Sequence, residues 1–94
     1  MAAMEESEFV VHALRDFLRP IVGEKEVRLM DIELNCGEPV SAIITGLGIA
    51  QHFKIWLPPI FEEKILPLED QTDLEREVIS EQLRSLPALL QAAS

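Results

Sequence analysis

Apolar residues recur every three or four positions near the start of the chain. Between Ser7 and Val22 these positions are Val10, Leu14, Phe17, Leu18 and Ile21. The spacing predicts an amphipathic helix over 7–22. Glutamates at its beginning suit the positive end of a helix dipole. Pro20 and Gly23 predict where this helix kinks or ends.

Residues 24–35 fit two patterns. Apolar residues at 30, 32 and 34 alternate with polar residues at 31, 33 and 35, which is typical of a half-buried strand. A helix over the same residues would have apolar side chains on two sides, which suits a surface element less well. We therefore favour one short strand or hairpin around residues 26–35, with a helix as the alternative. The following "CGEP", Cys36 to Pro39, predicts a turn in either case.

A helical pattern returns after this turn. Val40, Ile43, Ile44 and Leu47 follow the i, i+3, i+4, i+7 template, and a proline at 39 suits the first helical position. Glycines at 46 and 48 each weaken a helix by about 1 kcal/mol relative to alanine. Because of these glycines, two short strands joined by a turn stay an alternative to the helix. We favour a helix within residues 39–56.

Prolines divide the rest of the chain. Pro58 and Pro59 precede "IFEEKIL", which predicts one or two helical turns that end before Pro67. Thr72 and Glu75 have the spacing of a capping box, so a helix is expected over 72–85. Its apolar stripe is broad and consists of Leu74, Val78, Ile79, Leu83 and Leu86.

Together these elements predict a small α-rich single domain of three to four helices. It is either all-helical or α+β, with one short strand or hairpin around residues 26–35. The chain has no tyrosine and only two threonines, which disfavours an all-β fold. Its 94 residues suffice for one modest core. The ends, about 1–6 and 92–94, are expected to fray.

The charge balance excludes some partners. The net charge is −9, and the eight lysines and arginines are scattered, which disfavours direct nucleic-acid binding. No apolar run is long enough to span a bilayer, and the acidic beginning does not resemble a signal peptide. A single cysteine cannot form a disulfide within the chain. We expect a cytoplasmic or nuclear location.

No arrangement of residues indicates catalysis. A thiolate at Cys36, paired with His12 or His52, would lie close to Glu38, which disfavours the charged form. "TGLG" lacks the lysine and serine or threonine of a phosphate loop. The carboxylates do not have the spacing of a calcium loop. We predict no enzyme, no catalytic or metal-binding residue and no cofactor.

The most apolar and aromatic segment is "HFKIWLPPIFEEK", residues 52–64, which contains the only tryptophan. Its aromatic residues could form the centre of the core or a docking face, and Trp56 could belong to either. The chain has more apolar surface than a small domain readily buries, which favours a contact surface. The predicted protein-binding residues are Phe53, Ile55, Trp56, Leu57, Ile60, Phe61, Leu83, Leu86 and Leu90.

These observations favour a non-enzymatic protein–protein interaction module, a small subunit or adaptor within a larger intracellular assembly. Its partner would be another protein subunit or a second copy of the chain. One alternative is an acidic regulator that binds the basic surface of a nucleic-acid-binding or other basic protein. A second alternative is a thiol enzyme or redox sensor that uses Cys36.

Overall fold

The computed structural model describes residues 5–87, which contain five α-helices and no strand. The helices are α1 (Glu6–Val22), α2 (Glu24–Asn35), α3 (Pro39–His52), α4 (Pro59–Ile65) and α5 (Asp73–Ser85). The predicted α-rich class is confirmed, although the number of helices exceeds the predicted three to four. The expected fraying of 92–94 lies outside the described residues, as does that of 1–4.

The strand favoured around residues 26–35 is wrong, because these residues form α2. Val27 and Met30 are fully buried, whereas Leu29 and Ile32 on the other side are each 51% exposed. The buried face packs against both α1 and α3. The described residues offer no neighbouring strand to pair with an extended segment, so a helix, which satisfies its own backbone groups, is the favoured solution.

The predicted turn at "CGEP" is confirmed as the end of α2. Gly37 has a φ of +76°, in the left-handed region that glycine adopts without strain. Its N–H donates to the carbonyl of Leu34 at 3.0 Å, and that of Glu38 donates to Glu33 at 2.9 Å. This pattern is a Schellman motif. It ends α2 and turns the chain directly into Pro39, the first residue of α3.

Helices α1, α2 and α3 all pack against one another. Their fully buried side chains include Val11, Leu14, Leu18, Val27, Met30, Ile43 and Leu47. Gly46 lies where the three helices meet. A Cβ atom there would be 2.6 Å from Leu14 Cδ2 and 2.8 Å from Met30 Cε, so the absent side chain permits the close approach.

Two polar contacts join the same helices. Arg15 Nη1 of α1 donates to Asp31 Oδ1 of α2 at 2.8 Å, and Thr45 of α3 donates to Glu33 of α2 at 2.5 Å. Burial lowers the pKa of the Arg15 guanidinium, but hydrogen bonds to Asp31 and Asp16 outweigh that effect and raise its pKa. This charged contact holds α1 against α2.

The chain leaves α3 through a second left-handed residue. Lys54 has a φ of +54°, and the Ile55 N–H donates to the Ala50 carbonyl at 2.8 Å. The predicted helix within 39–56 is thus confirmed as far as His52. Residues 55–58 belong to no helix or strand, with Ile55 and Leu57 buried and Trp56 half-buried between them.

Helix α5 packs against α3, and α4 packs against α1. The predicted capping box is present, since the Glu75 N–H donates to Thr72 Oγ1 at 3.1 Å and the Thr72 N–H to Glu75 Oε1 at 2.8 Å. Arg76 of α5 donates to the carbonyls of Leu66 and Leu68 and so ties the connection from α4 to α5. Within residues 5–87, no helix has the length and apolarity that crossing a bilayer requires.

Candidate protein-binding surface

An apolar groove runs between α1 and α4 and has a volume of about 340 Å³. Its lining residues are Glu6, Phe9, Val10, Ala13, Ile60, Phe61 and Lys64. Phe9 is 66% exposed and Ile60 is 49% exposed. We call this surface the α1–α4 groove. It presents large apolar side chains from two different helices to solvent.

Local sequence explains how each wall is fixed. Pro59 is the first residue of α4 and starts the helix so that Ile60 and Phe61 reach the groove. Phe61 is 8% exposed and contacts Phe17 of α1 edge to face, with ring centroids 5.6 Å apart. This aromatic pair holds α4 against α1. The groove is therefore a preformed feature of the packed helices.

A polar hollow of about 370 Å³ adjoins the groove at Glu6, which lines both. We call it the acidic hollow. Its residues are Glu5, Glu6, Ser7, Pro67, Leu68, Glu69 and Asp70. No lysine or arginine is among these described lining residues, so its surface is strongly negative. Its remaining walls, Pro67 and Leu68, are apolar.

The acidic hollow belongs to a larger negative surface. Glu5 and Asp70 also line a neighbouring hollow, together with Glu38 and Glu75. The N-terminal ends of α1, α3 and α5 meet here, because Glu5, Glu38 and Thr72 are their N-caps. Carboxylates near helix N-termini are stabilised by the helix dipoles. That interaction gives part of this charge a structural reason.

Ser7 differs from the carboxylates around it. It is only 2% exposed, and its Oγ has no hydrogen-bond partner among the residues that the structure describes. A buried hydroxyl without a partner costs about 1–3 kcal/mol. Ser7 also lines the acidic hollow. Its hydroxyl is thus a buried group without a partner, in a residue that lines an open polar site.

The structure distributes the predicted binding residues over several environments. Of these residues, Ile60 and Phe61 line the groove. Ile55 and Leu57 are 9% and 8% exposed and belong to the core, so little of either side chain is available to a partner. Phe53 is 44% exposed beyond the end of α3.

Trp56, another of the predicted binding residues, is half-buried. It is therefore neither at the centre of the core nor fully exposed to solvent. Leu83 and Leu86 are half-buried and pack against the core. Leu90 lies outside the described residues. Their assignment to protein binding stays a prediction.

Sequence reasoning missed the α1 wall of the groove. Val10 was predicted only as part of the apolar stripe of the first helix, and neither Phe9 nor Ala13 was among the predicted protein-binding residues. Val10 is indeed 4% exposed, but Phe9 lies at the edge of the stripe and Ala13 is small and exposed. The available signal was the width of the stripe, which exceeds what one neighbouring helix covers.

Groups that could support other chemistry are sparse. Cys36 is a free, exposed thiol at the end of α2. Among residues 5–87, no three His, Cys, Asp or Glu side chains lie close enough to hold a metal ion. The predictions about catalysis stay untested by this arrangement.

Comparisons with protein families, with curated proteins and with solved structures gave no significant match. The function is therefore inferred from the geometry of this chain alone.

Proposed function

We propose that this chain is a non-enzymatic protein–protein interaction module, and that its docking surface is the α1–α4 groove. It would act as a small subunit or adaptor in an intracellular assembly. The observation that carries the proposal is the exposure of Phe9 and Ile60 on the two walls of one preformed apolar groove. Exposed apolar surface of this kind commonly marks a contact site.

The occupant we propose is an amphipathic helix of another protein. Apolar side chains spaced i, i+4 and i+7 on one helix face fit a groove between two helices. Few polar groups line the groove, since Glu6 and Lys64 are the only charged residues among its described lining residues. A small polar ligand would find little there to orient it, whereas an apolar helix face needs little more than shape and apolar contact.

The charged residues around the groove indicate which charges the polar face of the partner helix carries. Glu6 lines the groove beside Glu5 of the acidic hollow, and Glu62 and Glu63 are exposed on α4 next to the groove residue Lys64. Complementary charges speed association and select partners. We therefore propose that the occupying helix carries lysines or arginines beside its apolar anchors.

The experiment uses a synthetic amphipathic peptide of about 16 residues, long enough to form a helix in the groove. It carries leucines at i, i+4 and i+7, with arginines at both ends of this stripe. Titration into the full-length chain, followed by amide NMR spectra, should shift the signals of Phe9, Ala13 and Ile60. Phe9→Gln should weaken binding by about 2 kcal/mol, roughly thirtyfold.

Leu29→Gln is the matched control. It removes an apolar side chain of comparable exposure from α2, far along the chain from the groove. Both variants should keep the helical circular dichroism of the natural chain, because neither side chain belongs to the buried core. Equal loss of binding in both variants, or no binding by the peptide at all, would contradict the proposal.

The negative surface where the three helix N-termini meet favours a second candidate function. In it, the chain is an acidic regulator that covers the basic surface of another protein. Glu38, Asp70 and Glu75 would then contribute without any apolar anchor. Such binding would fall steeply as salt increases and would be unaffected by Phe9→Gln, which distinguishes the two.

A further inference from the structure

We infer that the acidic hollow is a binding subsite for an arginine side chain of the partner helix. This inference rests on the proposed function, because it specifies the partner that occupies the α1–α4 groove. The two cavities share Glu6, so one ligand could fill both. The hollow adds several carboxylate acceptors to the single one, Glu6, that lines the groove.

The chemistry of the lining fits a guanidinium group. Arginine presents five N–H donors in a fixed planar arrangement and no acceptor. Glu5, Glu6, Glu69 and Asp70 offer carboxylate oxygens from two segments of the chain. Charge-assisted hydrogen bonds of this kind are stronger than neutral ones. A lysine could enter the same hollow, but it has three donors and no planar fork.

Ser7 gives the site a feature that surface charge does not explain. Its Oγ is buried in the hollow's lining and has no partner among the described residues. Interaction with the helix dipole of α1 accounts for Glu5 and Glu6, but it leaves this hydroxyl unsatisfied. An N–H donor of an incoming guanidinium would provide the missing hydrogen bond.

The apolar walls suit the rest of an arginine side chain. Pro67 and Leu68 lie beside the carboxylates, and Leu68 is 4% exposed. Arginine commonly places its three methylenes along such apolar surface while the charged end reaches polar groups. A free metal ion is a poorer occupant, because no metal-binding group of three side chains exists within residues 5–87.

The helix geometry of α1 sets a spacing for the partner. From Glu6, Val10 lies one turn and Ala13 two turns further along α1, roughly 6 and 10 Å at 1.5 Å per residue. A partner helix that follows α1 would therefore carry its arginine about three to seven residues from its apolar anchors. This spacing defines the partner motif as an apolar stripe with arginine one or two turns beyond one end.

The test compares the arginine peptide above with a peptide in which citrulline, a neutral isostere, replaces each arginine. Binding of both is measured by calorimetry at one salt concentration. The arginine peptide should bind the natural chain about tenfold more tightly or better. The double variant Glu69→Gln, Asp70→Asn should reduce this difference clearly, although Glu5 and Glu6 remain in the hollow. The matched control, Glu26→Gln with Glu77→Gln, alters the same number of exposed carboxylates outside the hollow and should preserve the difference.

Ser7→Ala distinguishes a role of the hydroxyl in binding from a role in the stability of the fold. Removing an unpartnered buried hydroxyl should raise the midpoint of urea unfolding, while it weakens binding of the arginine peptide about threefold or more. Binding of the citrulline peptide should stay unchanged.

The outcomes separate the two proposals. If both peptides bind the natural chain equally, and Phe9→Gln still weakens them, the arginine subsite is wrong and the groove stands. A difference that is as large in the Glu69→Gln, Asp70→Asn variant as in the natural chain also overturns the subsite. If Phe9→Gln has no effect on either peptide, docking in the groove is wrong, and the arginine inference is overturned with it.

Discussion

The α1–α3 unit and the α4–α5 region bury their apolar residues to different degrees. In the unit, α1, α2 and α3 each pack against the other two, and seven of their large side chains are fully buried. In α4 and α5, Phe61, Ile65 and Ile79 are buried, whereas Ile60, Leu74 and Val78 stay exposed. The first three helices therefore contain most of the buried packing, although α1 and α2 also expose apolar side chains such as Phe9 and Leu29 on their outer faces.

The largest expected effect is a loss of packing inside the α1–α3 unit. Leu14→Ala removes a side chain that is 0% exposed, and we expect it to destabilise the chain by about 3 kcal/mol, as buried leucines do. Leu74→Ala in α5, at 71% exposure, should change stability by less than about 0.5 kcal/mol. Urea unfolding followed by circular dichroism measures both. Similar losses would remove the distinction between the two regions.

Two glycines of α3 allow the packing of the two regions to be compared. Gly46 faces the α1–α3 unit and Gly48 faces α5, and an alanine at either position adds one methyl group. Gly46→Ala places a Cβ atom 2.6 Å from Leu14 Cδ2 and should destabilise the chain by about 1–3 kcal/mol. At Gly48 the nearest atom would be Gln82 Nε2 of α5 at 3.8 Å, an ordinary contact.

Gly48→Ala should therefore stabilise the chain by about 0.5–1 kcal/mol, because alanine is the better helix former. Thermal unfolding of the two variants side by side would show opposite shifts of Tm. If both midpoints moved in the same direction, the close approach at Gly46 would be contradicted.

A smaller effect is expected at the beginning of α5. Thr72→Ala removes the side-chain half of the capping box and should cost about 1 kcal/mol. Among the described helices, α5 packs closely only against α3. The loss of stability should therefore appear first as faster amide exchange in α5. Equal acceleration in α1 and α2 would show that α5 and the α1–α3 unit open together.

The smallest expected effect concerns the turn between the two regions. Lys54 has a left-handed φ of +54°, which a lysine adopts only at some cost. Lys54→Gly should stabilise the chain by about 0.5 kcal/mol, the relief of strain being partly offset by the flexibility of glycine in the unfolded state. Gly37→Ala is the matched reverse change, at a φ of +76°, and should destabilise the chain by about 1 kcal/mol. Equal responses at both sites would contradict this account of the two turns.

Elements with local signals were predictable from the sequence. The spacing of Thr72 and Glu75 predicted the beginning of α5, and the apolar period predicted α1. Residues 24–35 lacked such a decisive signal, since alternation over three residue pairs fits a strand as well as a helix with apolar residues on two sides. Only packing against α1 and α3 selects the helix, and it leaves Leu29 and Ile32 exposed.

The candidate binding surface, like the conformation of residues 24–35, could not be predicted from local sequence alone, because it depends on how the helices pack. Ile60 and Phe61 were predicted from their aromatic and apolar surroundings, but the opposite wall comes from α1, some fifty residues earlier in the sequence. Glu69 and Asp70 are adjacent in the sequence, which shows a local negative charge. Their proximity to Glu5 and Ser7 follows from the directions of the helices, and no local spacing encodes that arrangement.

The eight large apolar side chains exposed within residues 5–87 affect how copies of the chain behave at high concentration. They lie on all five helices or beside them, and they include Leu29 and Ile32 on the outer face of α2. At neutral pH, a net charge of −9 makes the copies repel one another. Near the isoelectric point of about 4.5 this repulsion disappears, and the same surfaces should drive precipitation. The acidic composition thus provides the colloidal stability that a chain with so much exposed apolar surface requires.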